Sequence, residues 1–197
     1  MTHKDLMKKN RTYRRYRESE RIDPETLHEL VGLTRYCASA SNRQLLRYLI
    51  ACTPEETAKV FPTLTWAASL PDWPGPAKGE RPAAYIVMLA DTRIQKNIFC
   101  DDGIAAQSIL LGAAEKGIGG CMLAGIERPE LRNSLNIPAY YDIPLILALG
   151  TPAERVMLED GAKYDPVQRA YWRDEEGVHY VPKRPLEHLI VRFDDQD

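Results

Sequence analysis

No segment of the 197-residue sequence approaches the roughly 20 consecutive apolar residues that a membrane-spanning helix needs, and its first residues are charged where a secretory leader would be apolar. Cysteine is scarce and scattered. Cys37, Cys52, Cys100 and Cys121 include no close pair, which argues against both a zinc knuckle and a disulfide-stapled secreted scaffold. These absences predict a cytoplasmic protein with no membrane partner. Internal repeats and low-complexity tracts are also missing. Net charge is small, because 26 Lys and Arg nearly cancel 28 Asp and Glu to leave -2, so no nucleic-acid partner is expected for the body of the protein. A hydrophobic content of 44% is enough for a core, and residues 1–197 are expected to form one domain.

Against that near-neutral background the charges that do cluster are informative. Arg11-Thr12-Tyr13-Arg14-Arg15-Tyr16 sets three guanidiniums and a hydroxyl within a few residues. A guanidinium presents a planar fork of donors that matches phosphate oxygens two at a time, and the threonine hydroxyl adds another donor. The plain alternative is that Lys8, Lys9, Arg11, Arg14, Arg15, Arg17 and Arg21 form the solvated basic face of a helix. Near the other end, Val181-Pro182-Lys183-Arg184-Pro185-Leu186 holds two more cations between prolines, in a stretch too stiff for a helix interior. Two basic corners far apart in sequence suit an anion site closed by both chain ends. A nucleic-acid tail would gather its charge in one block.

Between the corners, Asp23 and Pro24 open a helix that should end near Cys37, and the small polar loop 39–44 runs into a strand at 45–51. A short helix is expected from Pro54 to Val60, then an irregular, lid-like stretch at 62–82 bearing Trp66 and Trp73. The apolar run 83–90 reads as a central strand, and a helix capped by Asp101 or Asp102 should extend to Gly117. Its small residues would let a second helix approach closely. A brief strand within 117–125, a helix from Pro129 to Leu135 and a buried strand at 143–150 follow. A C-terminal hairpin and arm should occupy about 164–197, the hairpin turning at 174–177. This order of elements predicts an α+β fold.

The glycines Gly117, Gly119 and Gly120 follow a helix instead of a strand, which excludes a Rossmann fingerprint and fits a helix cap with a tight turn. His28, His179 and His188 stand apart from any ligand pattern and are assigned to surface or packing, with no metal site. Cys121 is assigned to packing as well.

Four segments fall in the order of one family: R-T-Y-R-R-Y at 11–16, S-A-S-N-R-Q at 39–44, G-I-G-G-C-M-L-A-G at 117–125, and I-P-L-I-L-A-L-G at 143–150 followed by P-K-R-P-L at 182–186. Over nearly its whole length the chain resembles the FMN-dependent nitroreductase family. The resemblance implies a central mixed β-sheet flanked by helices with a C-terminal extension, and a homodimer with FMN bound between subunits. It also implies ping-pong hydride transfer from NADH or NADPH through FMN to a nitroaromatic, quinone or similar small acceptor. Carried onto this sequence, Arg11, Thr12, Lys183 and Arg184 become phosphate ligands. Arg14 becomes the cation that tunes flavin charge, and no side chain takes a catalytic role, the chemistry being left to flavin N5. Met122, Leu123, Ala124 and Gly125 become the strand edge along the flavin, and Ser39 and Asn42 the contacts from the partner subunit. The chain departs from the family pattern at Ala38 and Leu45, where prolines are common, and at Ala124, often acidic. A reductive dehalogenase or flavin-modifying relative, or a non-catalytic FMN-binding protein, is the alternative.

Overall fold

The computed structural model describes residues 1–160 and 170–191; the parts of the expected C-terminal hairpin and arm at 164–169 and 192–197 lie outside the described residues. At the centre, β2 (Ala84–Asp91) pairs antiparallel with β1 (Leu46–Ala51) on one side and β5 (Ile146–Gly150) on the other, and β3 (Gly119–Leu123) pairs with β5. The two-residue β4 (Tyr141–Asp142) adds to the end of β2. Parallel direction enters in two places. Thr12 bridges Gly120 in parallel, and β6 (Val156–Asp160) runs parallel to β8 (His179–Lys183), which is itself antiparallel to β7 (Trp172–Arg173). The outcome is the α+β fold with mixed strand directions and a C-terminal extension that the sequence predicts.

Every residue of β2 is buried, which explains why its sequence is one unbroken apolar run. Alternate residues feed two cores. Tyr85, Val87 and Leu89 pack with Val60 of α3 (Pro54–Val60) and Leu131 of α5 (Arg128–Leu135). Ala84, Ile86 and Met88 pack with Leu27 and Leu30 of α2 (Pro24–Gly32) and with Ile109 and Ala113 of α4 (Asp101–Glu115). Burying one such Leu or Ile contributes about 1.5–3 kcal/mol, so both faces of the sheet are anchored by several side chains.

Local signals set the helix ends. Asp23 accepts from the Glu25 amide with Pro24 in the first turn, and Thr53 and Glu56 form a reciprocal capping box on α3. After α4, Gly117 takes φ 80°. Its amide donates to Ala114 C=O at 3.1 Å and that of Ile118 to Ala113 C=O at 2.9 Å, a Schellman ending that requires glycine. Gly112 faces inward, where a Cβ would come within 2.4 Å of Leu33 Cδ1, so part of the small-residue face of α4 serves packing within this chain.

Several expectations are corrected. The basic run is not one helix: α1 (His3–Lys9) stops at Lys9, and Arg11, Arg14 and Arg15 lie on extended chain, which removes the solvated-helix alternative. Neither Asp101 nor Asp102 caps α4. Cys100 holds the N-cap position without a side-chain bond, because the Asp101 carboxylate is drawn to Ser39 and Ala40. The strand expected at 143–150 begins only at Ile146, two residues after Pro144, which has no N–H for a ladder. In the 62–82 stretch Trp66 is only 6% exposed, beneath Gly75, whose φ of 113° admits no ordinary side chain and where a Cβ would meet the indole at 2.7 Å.

Candidate functional site

Segment 11–16 is held in register by its tyrosines and by the glycines they cover. The Tyr13 amide donates to Gly120 C=O at 3.0 Å and that of Tyr16 to Glu80 C=O at 2.9 Å. Tyr16 is fully buried, its hydroxyl donating to Tyr13 C=O at 2.5 Å, and its ring lies on Gly150, where a Cβ would come within 2.8 Å of Cδ1. Tyr13 covers Gly119 and Leu110 covers Gly120, with imagined Cβ contacts of 2.6 and 2.4 Å. The glycines of 117–125 that sit on β3 therefore serve close packing, and that packing presents the cations of the neighbouring segment.

Those cations converge on a cavity of about 410 Å³ whose walls include Arg11, Thr12, Arg14, Met122 and Lys183, with no carboxylate among the described lining residues. Burial lowers the Arg11 pKa, and burial together with the Arg11 charge lowers that of Lys183. Two like charges thus share the lining of one cavity. The Nε atoms of Arg11 and Arg14 are buried and unpartnered in the structure. A phosphate group matches this donor set and would relieve the repulsion.

Around Arg14 the partners are neutral. Its Nη1 lies 3.5 Å from His179 Nε2, and its Cζ is 4.6 Å from the centre of the Tyr171 ring. Burial, opposed by Glu154 and reinforced by Arg14 and Arg173, pushes the His179 pKa down to about 4, so the imidazole is uncharged at neutral pH and its Nδ1 is left without a partner. A carboxylate stands behind the segment. Glu154 Oε1 accepts from the amides of Arg14 at 2.5 Å and Arg15 at 3.1 Å, and Oε2 accepts from Arg173 Nη2 at 2.8 Å. Arg15 and Arg173 both lie against Trp73, with Cζ 5.9 and 4.3 Å from the ring centre.

The other candidates lie elsewhere. Leu123 is buried in the core behind β3, while Ala124 and Gly125 are exposed just past its end, and Arg184 is exposed outside the cavity lining. Lys183 is thus the one of the basic pair that lines the cavity. Ser39 and Asn42 line a second depression of about 510 Å³ with Gln44 and Asp101. The Ser39 hydroxyl donates to Asp101 at 2.6 Å and accepts from the Gln44 amide at 2.9 Å; the Asn42 side chain accepts from Gln44 Nε2 at 3.0 Å. Ser41, Asn42 and Gln44 have φ of 51°, 53° and 49°, a left-handed backbone that costs about 1 kcal/mol or more per residue. Asp101, buried to 3% exposure, holds that strained loop in place. Cys121 is buried beside the cavity strand, and burial pushes its thiol up to about 11, as suits a packing residue. His179 and Tyr171 of the cavity lining, and Glu154 behind it, carry no local sequence signal for a site.

Among the described residues no cluster of His, Cys, Asp and Glu could hold a metal ion, and no helix is long and apolar enough to cross a membrane. A helix-flanked sheet with a cation-lined cavity beside β3 makes up a nitroreductase-like α+β fold. The model of the nitroreductase family matches residues 7–151, and the chain belongs to that family. No curated protein matches the sequence. Among solved structures it is similar to a nitroreductase family protein from Clostridium difficile 630, with 17% identity, a TM-score of 0.67 and coverage of 98% of this chain and 99% of that one. A protein from Exiguobacterium sibiricum 255-15, solved in complex with FMN, matches at 15% identity and TM-score 0.65 over 78% of this chain and 90% of its own. CLA-ER, an enone reductase of gut-bacterial fatty acid saturation, matches at 16% identity and TM-score 0.65 over 77% of this chain and 89% of its own. At these identities the likeness establishes the fold.

Proposed function

We propose that the chain is an FMN-dependent oxidoreductase that carries hydride from NADH or NADPH to a nitroaromatic, quinone or similar small acceptor, the two substrates using one slot in turn. The observation that carries this reading is the carboxylate-free cavity lined by Arg11, Thr12, Arg14 and Lys183, in which the Arg11 charge helps to lower the Lys183 pKa. When bound, FMN would supply the ring that accepts and returns hydride. The chain's own work is then binding and electrostatics. Arg11, Thr12 and Lys183 hold the phosphate, and Met122 lines the same wall. Arg14, whose side chain meets an imidazole and an aromatic ring instead of a carboxylate, is placed for the edge of the ring that becomes negative on reduction. Ala124 and Gly125, exposed beyond β3, offer backbone N–H groups, and Arg184 strengthens the positive field at the end of β8.

The protein acts as a homodimer in this reading, with Ser39 and Asn42 reaching the flavin held mainly by the partner. The fixed left-handed loop supports it, since strain of that kind is retained where geometry serves a site. So do Leu186, Ile190 and Val191, which are 68%, 60% and 85% exposed on the C-terminal arm and want a cover. The test is purification followed by mass analysis of any released chromophore, and anaerobic reduction with each nicotinamide. FMN released and reoxidised by an added quinone is the expected result. FAD, or a colourless protein that refuses added FMN, would end the proposal.

A further inference from the structure

We propose that Glu154 is the positioning residue of the anion cradle, setting segment 11–15 against β8 so that the site prefers a phosphorylated flavin to the unphosphorylated one. This rests on the FMN reading above. The Glu154 side chain is 2% exposed and that of Arg173 is 11% exposed, so the carboxylate is buried and its partner largely shielded from water. One carboxylate oxygen takes the consecutive amides of Arg14 and Arg15, which fixes the extended backbone there. Successive side chains of extended chain point to opposite sides. Arg14 accordingly faces the cavity, while Arg15 turns to Trp73 and to Glu80 at 3.5 Å. The second oxygen holds Arg173, which stands opposite His179 in the β7–β8 register, and β8 ends at Lys183.

One buried carboxylate therefore ties together the two basic corners that lie far apart in sequence. It does so without entering the cavity. Glu154 is absent from the cavity lining, and its oxygens are engaged by two amides and by Arg173, so the charges of Arg11, Arg14 and Lys183 remain available to a ligand. A carboxylate placed inside the cavity would neutralise them; one placed behind them orders them.

The test measures dissociation constants of FMN and riboflavin by flavin fluorescence, with thermal midpoints, for the wild type, Glu154→Gln and Arg173→Met. Riboflavin lacks the phosphate. The wild type should prefer FMN, and both variants should lose about tenfold or more of FMN affinity, the scale of a charge-assisted contact, with riboflavin nearly unchanged. A role in folding alone would lower the thermal midpoint and weaken both flavins in parallel, leaving the ratio where it was. An unchanged ratio in the variants overturns the proposal. Should one variant fail to fold, the other decides, since each breaks one arm of the same link. A wild-type protein that binds neither flavin would remove the FMN reading and this proposal with it, whereas a wild type that binds FMN beside variants of unchanged preference removes the proposal alone.

Discussion

Replacing Lys183 with Met should have opposite effects on the empty and the loaded protein. In the empty protein the ammonium suffers burial and the Arg11 charge, both of which lower its pKa, so a neutral side chain of similar length removes an unfavourable interaction. The apoprotein's thermal midpoint should hold or rise. In the loaded protein the same ammonium is assigned to the phosphate, where a charge-assisted contact is worth about 1.5–3 kcal/mol, or roughly a 10- to 150-fold loss of FMN affinity. Thermal melts of the apoprotein and fluorescence titration with FMN measure the two halves. Lys8→Met, on exposed α1, is the control and should move either quantity by no more than about 0.5 kcal/mol. A Lys183→Met protein that melts earlier and binds FMN as before would refute the reasoning, because the cation would then be structural.

Three further outcomes are expected. His179 has a folded-state pKa of about 4 against an ordinary 6.5, so the unfolded chain takes up the proton first as pH falls; stability should be complete above about pH 6.5 and decline by up to about 3 kcal/mol towards pH 4. Urea midpoints across that window should flatten in His179→Gln, and an unchanged slope would assign the loss to another group. Gly150→Ala, which drives a methyl into the Tyr16 ring, should cost about 1–3 kcal/mol in denaturant melts, whereas Gly103→Ala enters open space and should be neutral or stabilising. Arg14→Gln should lower the flavin potential and slow hydride transfer by about tenfold for each 1.4 kcal/mol of lost stabilisation while FMN stays bound; an unchanged potential would move Arg14 to the phosphate.

What was legible in the sequence was whatever is encoded locally. The helix opened by Asp23 and Pro24, the unbroken run of β2 and the glycine that ends α4 each carry their cause within a few residues. Charge density pointed to Arg11, Thr12 and Arg14, and the flanking prolines to Lys183, as candidates; the structure places all four on the lining of one cavity. Glu154 was not legible, because the Arg14 amide it holds is 140 residues away along the chain and only the fold makes a buried clamp of it. His179 was set aside for want of a ligand pattern; its meaning comes from Arg14, 165 residues distant. Asp101 looked like a cap because acids before helices usually are caps, yet the strained loop at 39–44 offered its carboxylate two better donors. β6 went unread because its parallel partner is β8, more than twenty residues later, and periodicity does not report such pairing.

The central claim is that Arg11, Thr12 and Lys183, brought from both ends of the chain, hold the phosphate of one FMN molecule. A crystal structure of the protein saturated with FMN tests it most directly. Phosphate oxygens are expected within hydrogen-bonding distance of all three residues, with Arg14 at the edge of the flavin ring. A phosphate bound elsewhere, with Arg11 and Lys183 still facing each other across an empty cavity, would contradict it.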